Sequence, residues 1–346
     1  MLLHRVLTAL VGVPVVLVCI WFGPPWITLL AAVAAVLGVR EAYRLFPARE
    51  PTSDDDDDGE TSLPLLLGGV WAVALVLAGE LAVQPEDFGW AFLGICIAGV
   101  IVAALWMIAA WHGQRPVVAA AYLVLAPVYV GGALATATAL RGIDGLPSLW
   151  SKKVEEPTPD LSLSVPPHIE DDGLGEAFET VYEVPGAEGG VWLLPDITGS
   201  DFAQDVAVLT ETGCWWLLLA ILTVYAADTG AYAVGRIFGR HRMAPSISPG
   251  KTWEGTAGGM LFAVIAAIVL GALFPLRLEI WHLATIGVIL GAVSPMGDLL
   301  ESKLKRLADA KDSGNLFPGH GGMLDRLDSL LPSLIVVYIL AALSTS

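Results

Sequence analysis

Charge is what this sequence has least of. Only 15% of its 346 residues are Asp, Glu, Lys or Arg, where a soluble domain carries about 25%. That shortfall excludes an ordinary water-soluble globule. Cysteine is also scarce. Cys19, Cys96 and Cys214 each lie in or beside an apolar run and share no metal-ligand spacing, so neither a disulfide framework nor a cysteine metal site is expected. Basic residues number 18 against 35 acidic ones, and no nucleic-acid partner is expected. What the chain has instead is grease: 55% of residues are hydrophobic and the mean hydropathy is +0.68. These values describe a polytopic membrane protein. The net charge of -17 is unevenly placed, much of it in Asp54–Asp58 and in the tract from Asp144 to Glu211, so it says little about partners.

A spanning helix needs roughly 20 apolar residues. Runs of about that length lie at Val6–Phe22, Trp26–Val39, Leu63–Val83, Gly89–Trp111, Val117–Leu140, Trp215–Phe238, Gly255–Phe274, Trp281–Leu300 and Leu330–Leu343. The predicted fold is therefore an all-α polytopic integral membrane protein of about nine transmembrane helices. Arg5 before the first run gives it the outline of a signal peptide, but a second run follows after only Gly23, Pro24 and Pro25, so the first is read as a retained helix. Trp21, Trp26, Trp90, Trp111, Trp215 and Trp281 fall at run ends, as interfacial anchors do.

With the N-terminus in the cytoplasm, fourteen of the 18 Lys and Arg residues fall in inner segments and four in outer ones, as the positive-inside rule requires. Three regions follow. Residues 1–140 form about five N-terminal helices with an acidic cytoplasmic loop at 40–62. Residues 141–213 form an acidic extracytoplasmic insert, with 15 acidic and 3 basic residues from Arg141 to Gly213, in which YEVPGAEGGVWLLPDITG suggests a strand pair. Residues 214–346 form the C-terminal catalytic membrane domain.

The polar chemistry gathers in that last region, in three clusters. In the first, Tyr225–Gly255, Asp228 lies within a span, and an ionisable residue at depth is a functional candidate. The turn Ser248-Pro249-Gly250-Lys251-Thr252 then precedes a glycine-rich helix start, a common setting for phosphate. In the second, GDLLESKLKR (Gly297–Arg306), Asp298, Glu301, Ser302 and Lys305 recur on one helical face. Lys303, Lys305 and Arg306 are equally explained as positive-inside anchors. The third is KDSGNLFPGHGGMLDRLD (Lys311–Asp328). Gly319, Gly321 and Gly322 keep the backbone bare beside His320, so amide groups can approach an anion. Asp325 and Asp328, three residues apart, share a helical face and suit a hard cation such as Mg2+, with Arg326 and Lys311 nearby. Carboxylates for a metal plus cations for phosphate is the set that phosphoryl and nucleotidyl transfer require. All three clusters lie on the cytoplasmic side of the predicted topology.

The stretch SKLKRLADAKDSGNLFPGHGGMLDRLD (Ser302–Asp328) resembles the signature of the phosphatidate cytidylyltransferases, or CDP-diacylglycerol synthases, at every fixed position. DTGAY, SPGKTWEG and GDLLESKLKR are similar to further blocks of that family, and Gly250 stands where the family often has a second lysine. The resemblance covers Trp215 to the C-terminus. It implies that phosphatidate and CTP give CDP-diacylglycerol and pyrophosphate, with Mg2+ and room for a second cation, at the cytoplasmic face of a bacterial inner membrane, in phospholipid biosynthesis. It implies metal ligands at Asp298, Asp325 and Asp328, with Asp228 a fourth. Lys305, Arg306 and Lys311 would join the three C-terminal aspartates as the catalytic set. Ser248, Lys251, Thr252, Ser302, Gly319, His320, Gly321, Gly322 and Arg326 would shape the nucleotide and phosphate pocket, His320 being equally explained as a structural turn residue. CTP, phosphatidate and membrane lipid are the implied partners, and a homodimer stays open. Two rivals remain. A CTP-dependent lipid-alcohol kinase would need a general base for a neutral acceptor. An ion-coupled transporter would show midplane charge in both halves, whereas the N-terminal half has little beyond Glu80.

Overall fold

A computed structural model of the chain describes residues 2–46, 63–82, 85–112, 115–143, 212–276, 278–314, 316 and 321–345. The expected extracytoplasmic insert, its suggested strand pair and the Asp54–Asp58 run lie outside the described residues, the insert apart from its first and last few.

The apolar runs are helical because nothing else satisfies their backbone in hydrocarbon. In chain order they are α1 (Leu2–Phe22), α2 (Trp26–Arg44), α3 (Leu65–Leu81), α4 (Pro85–Ala110), α5 (Pro116–Ala126), a π-helical turn (Pro127–Gly131) running into α6 (Gly132–Arg141), and α7 (Thr212–Phe238). A short antiparallel hairpin follows, β1 (Arg242–Ala244) and β2 (Ser248–Thr252), pairing Arg242 with Thr252 and Ala244 with Ser248. Then come α8 (Trp253–Leu273), α9 (Ile280–Leu307), the single turn α10 (Leu324–Leu327) and α11 (Leu330–Thr345). Among the described residues, six helices are long and apolar enough to cross a membrane: α2, α4, α5 continued through α6, α7, α8 and α9. Shorter apolar helical stretches lie at Gly12–Phe22, Leu65–Leu81 and Leu330–Leu343. The chain is a helical integral membrane protein.

Two helices run further than the apolar pattern. α2 passes Val39 through Arg40, Glu41 and Arg44, and α9 passes Leu300 through the charged stretch to Leu307. In both, part of the polar last turns meets other protein segments, Glu41 in α2 and Lys305 in α9, so the helix outlasts its hydrophobic stripe. Helices α7, α8 and α9 pack face to face through small residues. A Cβ on Gly259 would sit 2.8 Å from the Ala227 carbonyl of α7, and one on Gly291 would sit 2.7 Å from the Met260 Cα of α8. Such close approach is how helices gain contact when lipid competes for every apolar surface. The buried Arg141 ends α6 and donates from Nε to the Ile20 carbonyl at 3.0 Å, so its positive charge meets the C-terminal end of α1.

Candidate active site

Asp228 lies within α7, and its Oδ1 accepts from the Ser294 hydroxyl of α9 at 2.9 Å. The hairpin after α7 is shaped by local chemistry. Glu254 accepts from the Arg240 and His241 amides at 3.1 and 3.2 Å and stands 2.5 Å from His241 Nδ1. Thr252 caps α8, its hydroxyl oxygen accepting from the Gly255 amide at 3.1 Å. With its turn held so, β2 extends Lys251 onto α9. The ammonium lies 2.8 Å from Asp298 Oδ2 and 3.0 Å from the Pro295 carbonyl. The first two sequence clusters therefore meet at the Lys251–Asp298 pair.

Along α9, Ser302 donates to Asp298 Oδ1 at 3.2 Å, which fixes the carboxylate from its other side. One turn on, Lys305 is 2.6 Å from Asp325 Oδ1 and 3.2 Å from Glu301 Oε1. Arg306 reaches outward to the Ile247 carbonyl at 3.3 Å and the Ala310 carbonyl at 3.4 Å, bracing the hairpin against the loop after α9. Ser248 lies within β2. Lys311 and Arg326 are exposed, and their side chains make no hydrogen bond or ion pair among the described residues.

The signature loop is built around Asp325. Its Oδ2 accepts from the Gly322 amide at 2.8 Å, the Ser313 amide at 2.9 Å and the Ser313 hydroxyl at 3.0 Å. Gly321 has φ +81° and a Cβ there would collide with Asp325, so glycine is required at that position. Burial alone would raise the Asp325 carboxyl, but the Lys305, Gly322 and Ser313 hydrogen bonds outweigh it and hold the group at about 2. Asp325 lies in the single turn α10 and Asp328, still helical in its backbone, ends it; the two carboxylates have different surroundings. Asp325 is filled by donors. Asp328 receives the Ser329 amide at 2.7 Å and is pushed up to about 7, chiefly by burial, then by the charges of Asp298 and Asp228. Gly297 makes that convergence possible, because a Cβ on it would strike the Asp328 carbonyl.

A hard divalent cation fits the charge of this place. Asp228, Asp298 and Asp328 crowd one another, and Lys251 offsets only part of their charge. Carboxylate oxygens are the ligands Mg2+ prefers. Among the described residues, however, no three such groups stand at metal-ligand spacing, so side-chain closure would have to accompany binding.

One residue escaped the sequence reading. Glu41, on α2, is 5% exposed. It accepts from the Met323 amide at 2.9 Å, the Leu324 amide at 2.8 Å and the Ser313 hydroxyl at 2.9 Å. The N-terminal helices thus hold the signature loop directly. Its one sequence signal is an acid interrupting the end of an apolar run. Gly319 and His320 lie outside the described residues.

A helical membrane protein with a partly buried cluster of acids and lysines at the ends of its helices is the class that this fold and site define. The sequence model of the Cytidylyltransferase family matches residues 3–344, and the chain belongs to that family. It is 43% identical over 136 residues to a phosphatidate cytidylyltransferase of Mycobacterium bovis, covering 39% of this chain and 44% of the other. It is 43% identical over 136 residues to one of Mycobacterium tuberculosis, covering 39% and 41%. A Bacillus subtilis phosphatidate cytidylyltransferase is 40% identical over 139 residues, covering 40% and 52%. The chain thus spans about half the length, or less, of these curated relatives.

Proposed function

We propose that this chain transfers the cytidylyl group of CTP to phosphatidate, giving CDP-diacylglycerol and pyrophosphate. The observation that carries the reading is the convergence of Asp228, Asp298 and Asp328 with Lys251 and Lys305, in a chain matched along almost its whole length by a cytidylyltransferase family. A phosphate oxygen of phosphatidate attacks the α-phosphorus of CTP, and the bond to the β-phosphate oxygen breaks. The nucleophile is already anionic near neutral pH, so the site needs no strong base. Its task is to bring anion to anion. Asp298 and Asp328, with Asp228, would hold Mg2+, which when bound neutralises the triphosphate and the leaving pyrophosphate. Lys251 orients Asp298. Lys305 holds Asp325, which we assign to keeping the loop in shape. Lys311, Arg306 and Arg326 present positive charge to the phosphates, and Gly319 to Gly322 shape the nucleotide pocket with His320.

The same reading places nine spans in a bacterial inner membrane, the site facing the cytoplasm and residues 141–213 outside. The basic residues of the loops support that orientation. The deciding experiment is CTP-dependent pyrophosphate release from detergent-solubilised protein, with the mass of the lipid product. A CDP-lipid is expected. A lipid phosphate from an alcohol acceptor would make the chain a kinase, and no turnover with ion-coupled uptake a transporter.

A further inference from the structure

A cavity of about 690 Å³ lies between the N-terminal helices and the catalytic ones. Phe88 and Phe92 of α4, Tyr129 of the π-helical turn and Tyr338 of α11 form much of its wall, and Glu301 and Asp328 also reach it. Its lining is otherwise almost wholly apolar. Leu125 and Ile339 line it too and are 63% and 50% exposed; large apolar side chains left open in a membrane-spanning bundle are the natural mouth of such a cavity towards the bilayer. It therefore joins the lipid phase to the carboxylate cluster.

Two polar groups on its wall have unmet hydrogen-bonding capacity. Among the described residues, the Tyr122 and Tyr338 hydroxyls are buried without a hydrogen-bond partner. Glu301, which is 4% exposed, is ion-paired with Lys305 at 3.2 Å. A buried polar group without a partner costs free energy, so an empty or purely hydrocarbon-filled cavity leaves these groups unsatisfied. Ester oxygens would accept from the tyrosine hydroxyls. The π-helical turn adds to the shape: such turns displace side chains from the regular helical positions and recur at functional sites, and here the turn supplies Val128, Tyr129 and Val130 to the wall.

We propose that this cavity holds one ester-linked acyl chain of the lipid substrate while its phosphate lies at Asp328, and that its depth sets the chain lengths the protein accepts. The inference rests on the proposed cytidylyl transfer to phosphatidate. A chain entering past Leu125 and Ile339 need not leave hydrocarbon, while the headgroup meets the wet end of the same cavity.

The test uses the full chain in detergent and phosphatidates of short, medium and long saturated chains. Ala121→Phe puts a ring into the cavity from α5. It should lower kcat/KM for long chains at least about tenfold more than for short ones, since a pocket rejects excess methylenes at about that level. KM for CTP should stay near its original value. Phe92→Ala removes bulk from the opposite wall and should shift preference towards longer or branched chains. An equal fall at every chain length in both variants, or an unmoved profile, overturns the proposal. Inactivity of the unmodified protein on every phosphatidate overturns the functional reading and this inference with it. Activity with an unmoved profile overturns the inference alone.

Discussion

Replacing Glu41 by alanine removes the acceptor for two backbone amides and one hydroxyl. Ser313 keeps a second acceptor, because its hydroxyl also lies 3.0 Å from Asp325 Oδ2. The Met323 and Leu324 amides at the start of α10 lose theirs. A buried donor left without a partner costs about 1–3 kcal/mol, so the two together cost about 2–6 kcal/mol unless water replaces the carboxylate. At about 1.4 kcal/mol per factor of ten, even the lower limit shrinks the equilibrium constant for loop ordering by more than about tenfold. Asp325 and Asp328 both hang on that loop. Glu41→Ala should therefore lower kcat at least about tenfold and lower the unfolding temperature. Glu41→Gln keeps the volume and one acceptor oxygen and should fall between. The assay is CTP-dependent pyrophosphate release beside thermal unfolding in the same detergent. A Glu41→Ala protein with kcat and unfolding temperature both matching the original would refute the reasoning.

Three further expectations concern the acidic cluster. Burial and neighbouring carboxylates raise Asp328 from the ordinary carboxylate range to about 7, so the folded chain holds that proton more tightly than the unfolded chain does. Stability then declines as pH rises through that interval and stays lower above it. Mg2+ offsets the ionised charge, so the rise in unfolding temperature that Mg2+ produces should grow between about pH 6 and about pH 8 and lose its pH dependence in Asp328→Asn. A Mg2+ effect equal at both pH values counts against the site. Gly297→Ala drives a methyl group into the Asp328 carbonyl and to 2.7 Å from the Pro332 ring; it should cost about 1–3 kcal/mol of stability and most of the activity, and a fully active variant would show that the approach of α9 to this loop is not required. Lys251→Ala should mainly raise KM for one substrate, and Lys311→Ala should mainly lower kcat, since the first ammonium is already docked in the ground state and the second stands free for charge that develops in the transition state. Identical kinetic signatures for the two variants contradict this division.

Much of the helix placement was legible because apolar runs in lipid have one regular solution. The ends were less so. The patterns for α2 and α9 stopped at Val39 and Leu300, since hydropathy reports contact with lipid, whereas Glu41 and Lys305 continue their helices by contact with other protein segments. The hairpin at Arg242–Thr252 read only as a turn, because its strands are too short for alternation to show. Local spacing identified Asp298, Asp325, Asp328 and Lys305 as neighbours, but it could not divide their labour. An interval of three residues suggested a shared face for Asp325 and Asp328. What separates them is the set of donors that the loop brings to Asp325 and withholds from Asp328. Glu41 was hidden more deeply, for its partners lie more than 270 positions away, and no local pattern reports so distant a hydrogen bond.

The reach of Glu41 also bears on how such proteins can be recombined. The familiar motifs all lie in the C-terminal third, so an exchange of the N-terminal helices between relatives looks harmless on an alignment of motifs. Yet the fold of the signature loop is shared property, half of it written in α2. A chimera made at the junction between the halves would inherit a working loop only if its donor supplies an acid at the same helical turn and depth. A hybrid that lacks it should regain function through a compensating acceptor introduced beside Met323 and Leu324, not through any repair of the motifs themselves.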